Sequence, residues 1–139
     1  MIRAKVFDSL PKEAESIRRA VFMDEQGFKD EFDDIDGIAW HIVLFDGDVP
    51  AATCRVFFDE DNNSYVLGRL AVLKQYRGQN LGSTAVLEAQ ELVRSMGGKS
   101  IILHAQCRVS GFYESLGYAQ FGSMDYDEGC EHIWMKKEF

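Results

Sequence analysis

The stretch Leu67-Gly68-Arg69-Leu70-Ala71-Val72-Leu73-Lys74-Gln75-Tyr76-Arg77-Gly78-Gln79-Asn80-Leu81-Gly82, continued to Gly97-Gly98, decides the fold. Residues 67–72 read as a strand and Lys74 to Gly82 as a polar turn with glycines. Beyond the turn, Ala85, Val86, Ala89, Leu92, Val93 and Met96 follow the spacing of one buried helical face. Gly97-Gly98 stops that helix where a left-handed cap is expected. A strand that passes through a glycine turn into a helix N-terminus aims unpaired N–H groups and the positive dipole end at one point. Phosphate binds at such points.

Two nucleotide-binding loops are excluded. Gly78 and Gly82 do not supply G-x-G-x-x-G. Gly98-Lys99-Ser100 matches the end of a nucleoside-triphosphate loop, but the first glycine of that loop would fall on Val93, inside the helix. Those residues also follow a helix and precede a strand, the reverse of the order required.

What remains, Arg77 to Gly82 after the strand Leu70-Ala71-Val72, resembles the pyrophosphate motif of the Gcn5-related N-acetyltransferase superfamily, Q/R-x-x-G-x-G/A. Arg77 fills its first position and Gly82 its last, while Asn80 stands where a middle glycine is usual. Asn tolerates positive φ better than most side chains, so the turn is expected to form. A second block follows in order: the buried-strand run Ile101-Ile102-Leu103-His104-Ala105, then Gln106-Cys107-Arg108-Val109-Ser110-Gly111. It ends in Phe112-Tyr113-Glu114-Ser115-Leu116-Gly117-Tyr118, which resembles the FYExxGF signature that closes the cofactor site in the same superfamily. Val109, Phe112 and Leu116 share one face of a short helix that Gly117 ends. Gln106 lies seven residues before Tyr113, where relatives carry a cofactor-contacting Asn.

The resemblance implies one domain over residues 1–139, α/β in class, with a mixed sheet that is mostly antiparallel, partly parallel and flanked by helices. It implies acetyl-CoA as cosubstrate and transfer of its acetyl group to a primary amine, carried by a small molecule or a peptide, in a ternary complex. The pantetheine arm is expected along Leu70, Ala71 and Val72. The pyrophosphate is expected on Arg77, Gly78, Gln79, Asn80, Leu81, Gly82 and Ser83, with Gln106 and Tyr113 also touching the cofactor. Tyr113 matches the family tyrosine that acts as general acid towards the coenzyme A sulfur. Two other readings use the same motifs: a non-catalytic acyl-CoA binding or sensing module, and an enzyme like the acyl-homoserine-lactone synthases. Those synthases are longer and need a basic docking patch for a carrier protein, which this acidic chain does not advertise.

Acyl transfer to an amine needs a polarised carbonyl, a neutral amine and a stabilised thiolate. The base candidates are His41, His104 and His132, each at or near a strand. His104 leads, because it lies just before the cofactor-contacting region, and His132 follows. No pair of these has a recognised ligand spacing, so no metal is expected. The segment Arg18 to Phe28 leads into Asp30, Glu31, Asp33, Asp34 and Asp36. It reads either as a solvated acidic loop or as an acceptor wall whose carboxylates attract an amine. Glu25, in a Val-Phe-x-x-Glu-Gln run like that of small stand-alone bacterial acetyltransferases, is its candidate catalytic group. Cys107 reads as a packed filler rather than a nucleophile.

Composition agrees with one globular domain: 139 residues, 46% hydrophobic and 27% charged, enough for a single core. No apolar run approaches the roughly 20 residues of a membrane helix. Met1 to Phe7 alternates like a strand and has no signal-peptide core. Three cysteines without a C-x-x-C pair read as free thiols in a reducing cytoplasm. The net charge of −8 argues against a nucleic-acid surface. Edge strands of a small sheet make a homodimer an expectation.

Overall fold

Alternation along one strand sets the layering. In β2 (Trp40–Asp46), Ile42 and Leu44 face one core while Val43 and Phe45 face another, so the strand is buried on both sides. The first core gathers under α2 (Leu81–Ser95), whose Ala85, Val86, Ala89 and Val93 are fully buried. The second gathers under α1 (Lys12–Arg18), through Ala14 and Ile17, with Val21 and Phe22 beyond it. The computed structural model describes residues 1–28, 32–127 and 129–139.

Between the helical layers lies a seven-stranded sheet. Besides β2 it contains β1 (Ile2–Phe7), β3 (Val49–Asp59), β4 (Ser64–Val72), β5 (Ser100–Gln106), β6 (Ala119–Asp127) and β7 (Cys130–Glu138), in the order β1-β2-β3-β4-β5-β7-β6. All neighbours are antiparallel except β4 and β5, which α2 connects. The mixed sheet flanked by helices is the architecture expected from the sequence.

Three local readings change. From the sequence a helix is expected from Pro11 to about Met23, with Ser9 as its cap; it starts instead at Lys12 with Pro11 at its cap, and no side chain caps it. From Arg19 to Glu25 it widens into a π-helical turn instead of continuing as α-helix to Met23. From the sequence the last strand pair is expected over residues 119–125 and 131–137, with a turn at Asp127-Glu128-Gly129; the strands instead reach Asp127 and Cys130, which pair. Glu128 itself lies outside the described residues. At the far end of α2, Gly97 adopts φ 83° and the Gly98 N–H reaches back to the Val93 carbonyl at 2.9 Å. This is the glycine cap the sequence announced. A Cβ on Gly98 would sit 2.4 Å from a Val93 methyl, so the second glycine is required by packing.

Candidate active site

The parallel pairing of β4 with β5 is short. Tyr65, Val66 and Leu67 face Ile101, Ile102 and Leu103, and beyond them the strands separate. At the point of separation β4 carries a bulge. Its register against β3 slips by one residue between Gly68 and Ala71, and Arg69 takes φ 53°, rare for a residue with a side chain. The gap is a cleft of about 480 Å³ lined by Leu67, Gly68, Arg69 and Leu70 on one side and by Leu103, His104, Ala105 and Gln106 on the other. Phe22, Gln26 and Phe28 from the π-helical turn and the residues after it, and Tyr113, Asp127 and His132 from α3, β6 and β7, also line it.

Val72 lies next to the bonded pair of Ala71 and Thr53, so its N–H and C=O turn towards the open edge of β4. Its carbonyl accepts a hydrogen bond from Arg77 Nε at 3.1 Å. The turn then runs through Gly78 at φ 81° and Asn80 at φ 63°, so Asn80 takes the left-handed geometry expected of it. The first intrahelical bond of α2 is Thr84 N–H to the Asn80 carbonyl, at 3.0 Å. The N–H groups of Leu81, Gly82 and Ser83 therefore have no helical partner. A Cβ on Gly82 would lie 3.3 Å from the Phe112 ring, so the two sequence motifs meet in space at this glycine.

Tyr113, in α3 (Ser110–Ser115), is 8% exposed, and its ring meets Phe112 and Tyr118 edge-on. Burial raises its phenol pKa, with the neighbouring Cys54 thiol adding to the effect. Its hydroxyl makes no hydrogen bond among the described residues, so the proton it keeps is available to the cleft. Cys54 is a buried thiol that burial pushes up to about 12, which keeps it protonated and inert.

His104 and His132 converge although 28 positions separate them, because β5 and β7 pair with Gln106 opposite His132 and His104 opposite Trp134. The His104 ring lies 4.7 Å from each of His132 and Trp134. His104 Nε2 is 2.7 Å from Asp125 Oδ1, and His132 Nδ1 is 3.0 Å from the Cys130 carbonyl. His41 is set apart. It is buried, its Nε2 bonds the Asp36 carbonyl at 3.0 Å, and burial lowers its pKa. It does not line the cleft and serves the fold.

The acidic segment also reads differently in three dimensions. Asp36 takes two hydrogen bonds from Arg18, at 2.7 and 3.1 Å, and one from Arg55 at 2.9 Å. Asp33 takes two from Arg55, at 2.6 and 3.2 Å, and one from Arg69 at 3.3 Å. Both carboxylates are spent on guanidinium groups, so these two do not form an amine-attracting wall. Asp34 is exposed, and Asp30 and Glu31 lie outside the described residues. Arg55 is itself 3% exposed, and its Nε is buried without a partner among the described residues.

Glu25 likewise does not line the cleft. Its carboxylate grips Arg77 through two hydrogen bonds, at 2.5 and 2.7 Å. The hydrogen bond from Arg77 lowers its pKa against a smaller opposing effect of desolvation. The next residue, Gln26, lines the cleft instead, and its Oε1 accepts a hydrogen bond from Gln106 Nε2 at 3.1 Å, bridging the cleft. Gln106 Oε1 accepts from Arg108 Nε at 2.8 Å. Gln26, Arg69, Arg108 and Asp127 line the cleft without having been singled out from sequence. The adjacent Glu25-Gln26 and the D-E-G turn were the only local signals for two of them.

Comparison with known proteins gives a consistent picture. Residues 10–139 match the model of the acetyltransferase (GNAT) domain. The uncharacterized protein YyaT of Bacillus subtilis (strain 168) is 36% identical over 132 residues, 91% of this chain and 87% of that one. The uncharacterized N-acetyltransferase YjcF of the same organism is 28% identical over 130 residues, 91% of each. The crystal structure of Escherichia coli ElaA superimposes with a TM-score of 0.87 at 26% identity, covering 99% of this chain and 100% of that one.

Proposed function

The chain belongs to the GNAT acetyltransferase family, and from that premise we propose that it moves an acetyl group from acetyl-CoA to a primary amine by direct attack in a ternary complex. The separation of β4 from β5 beyond Leu67 and Leu103 carries this reading. It opens a sheet edge for an extended arm to join. Gly82, next to Val72 and Phe112, belongs to the first turn of α2, whose three unpartnered N–H groups suit a pyrophosphate. A partner-free phenol and an imidazole bonded to a carboxylate line the cleft itself.

In this reading each residue has one task. The Val72 N–H and C=O at the open edge of β4 receive the pantetheine amides, with Leu70 and Ala71 alongside. Leu81, Gly82 and Ser83 donate N–H bonds to the pyrophosphate, the Arg77 guanidinium adds a charge-assisted hydrogen bond, and Gly78, Gln79 and Asn80 shape the turn around it. Gln106 holds the far wall. The amine nitrogen attacks the thioester carbon and the carbon–sulfur bond breaks. Tyr113 gives its proton to the departing sulfur, which suits a phenol that burial keeps protonated. His104, oriented by Asp125, takes the proton that the amine loses.

The first experiment is calorimetric titration of the protein with acetyl-CoA, coenzyme A and dephospho-coenzyme A, followed by an amine-acceptor screen. One-site saturable binding of acetyl-CoA is expected, and its absence in folded protein overturns the reading. Tyr113→Phe is expected to lower kcat about 100-fold with acetyl-CoA affinity unchanged. An unaltered rate, with chemistry shown to be limiting, removes Tyr113 as the acid.

A further inference from the structure

The side of the cleft formed by β5, β6 and β7 holds more than a base. One ligand atom from each of His104, Asp127 and His132 lies within 4.8 Å of the other two. Two imidazoles and a carboxylate form the donor set of open three-ligand zinc sites, in which a fourth position is left for water or a ligand. The geometry points to a binding site for one divalent transition-metal ion of the zinc, cobalt or nickel class, held by His104, His132 and Asp127.

The surrounding hydrogen bonds argue for metal ligation beyond mere proximity. A ligating histidine is held by a hydrogen bond from its other ring nitrogen to a carboxylate or a backbone carbonyl. Both arrangements occur here. His104 uses Nε2 on Asp125 Oδ1 at 2.7 Å, and His132 uses Nδ1 on the Cys130 carbonyl at 3.0 Å. Each ring is thereby fixed as a donor on one nitrogen, which leaves the lone pair of the other, Nδ1 of His104 and Nε2 of His132, without a partner among the described residues. Asp127 likewise has no ion pair or hydrogen bond there, and its side chain is exposed. Metal–ligand bonds of about 2.0–2.2 Å require the donors to close by roughly 1 Å. Asp127 ends β6 beside the turn and can swing by that amount, while the two rings are held by stacking on each other and on Trp134. The absence of further carboxylates from the donor set disfavours magnesium and calcium, which prefer shells of oxygen.

The test is titration of the full chain with Co²⁺, read by its visible absorption bands, and with Zn²⁺, read by calorimetry. Neither needs an acetyl donor, so the result stands whatever the acceptor screen returns. One equivalent of saturable binding is expected. His132→Gln and Asp127→Asn are each expected to weaken it at least about tenfold, and Asp125→Asn by about tenfold through the orientation of His104. Cys130→Ser, which removes the thiol next to this turn but keeps the backbone carbonyl that holds His132, is expected to leave affinity unchanged. Circular dichroism of Asp127→Asn, altered at an exposed side chain, guards against loss of fold. No saturable binding up to about 1 mM, binding that ignores both His132→Gln and Asp127→Asn, or binding lost in Cys130→Ser overturns the site. Where the ion binds, it covers the His104 lone pair. Inhibition of acetyl transfer by zinc is then a consequence that rests additionally on the proposed function.

Discussion

Two arginine–carboxylate contacts fasten the helical segment from Arg18 to Glu25 to the rest of the molecule, and they differ in almost everything except chemistry. At its start, Arg18 is 1% exposed and shares Asp36 with Arg55. At its end, Glu25 meets Arg77 with both side chains about 40% exposed. The first pair was formed by removing charges from water, which is favourable only while every partner stays in place. The second is wet, screened and easily exchanged. Burial therefore assigns one contact to the fold and leaves the other free to respond to a ligand.

The sharpest way to break that comparison is Asp36→Ala. It leaves two buried guanidinium groups without the carboxylate they share, and a loss of about 3–5 kcal/mol in urea unfolding is expected. A loss below about 1 kcal/mol would mean that the network is solvated and the contrast with Glu25 is empty. The same carboxylate gives the contrast a pH signature. Burial acts to raise the Asp36 pKa, but hydrogen bonds and charge from Arg18, then Arg55, outweigh it and hold the group at about 2. Its folded pKa is thus below the unfolded value of about 3.9. The stabilisation is complete above that unfolded value and is lost as pH falls from about 4 towards 2. Melting temperatures of wild type and Asp36→Ala should converge over that window. Curves that stay parallel would remove Asp36 from the acid response.

The exposed contact is expected to matter for binding instead. Arg77→Ala should weaken acetyl-CoA binding about tenfold, the scale of one charge-assisted hydrogen bond to phosphate, and leave the melting temperature nearly unchanged. If affinity is unaltered, Arg77 serves only Glu25 and Val72, and the pyrophosphate rests on the helix N-terminus alone.

The legibility of these regions in the sequence follows from the range of the interactions that build them. The turn from Arg77 to Gly82 was readable because its determinants are local: positive φ at Gly78 and Asn80, free N–H groups at a helix start, a small residue at Gly82. The strand–helix order and the glycine cap of α2 were readable for the same reason. The pairing of Arg18 with Asp36 and Arg55 was not, because the partners lie 18 and 37 positions from Arg18 and nothing in an acidic run says that its charges will be buried. The bulge at Arg69 follows from the register of β3 against β4, and arginine gives no local sign of positive φ. His104 and His132 lack ligand spacing in sequence because the β5–β7 register, not a helix repeat, brings them together.

The smallest expected effect is also the most discriminating. Glu25 holds the arginine that the phosphate motif places first, so under the proposed function a pyrophosphate and the Glu25 carboxylate compete for one guanidinium. Glu25→Gln removes the competing charge while keeping the side chain's shape. Acetyl-CoA binding should tighten about two- to threefold, as befits a solvent-screened pair, and kcat should hold. A catalytic Glu25 predicts the opposite pattern, a fall in kcat of about 100-fold with affinity little changed. Measuring both constants on one variant therefore separates a carboxylate that competes for the cofactor's arginine from one that acts on the acceptor. Combining Glu25→Gln with Arg77→Ala sharpens the answer, because a gain that depends on Arg77 must vanish when Arg77 is gone.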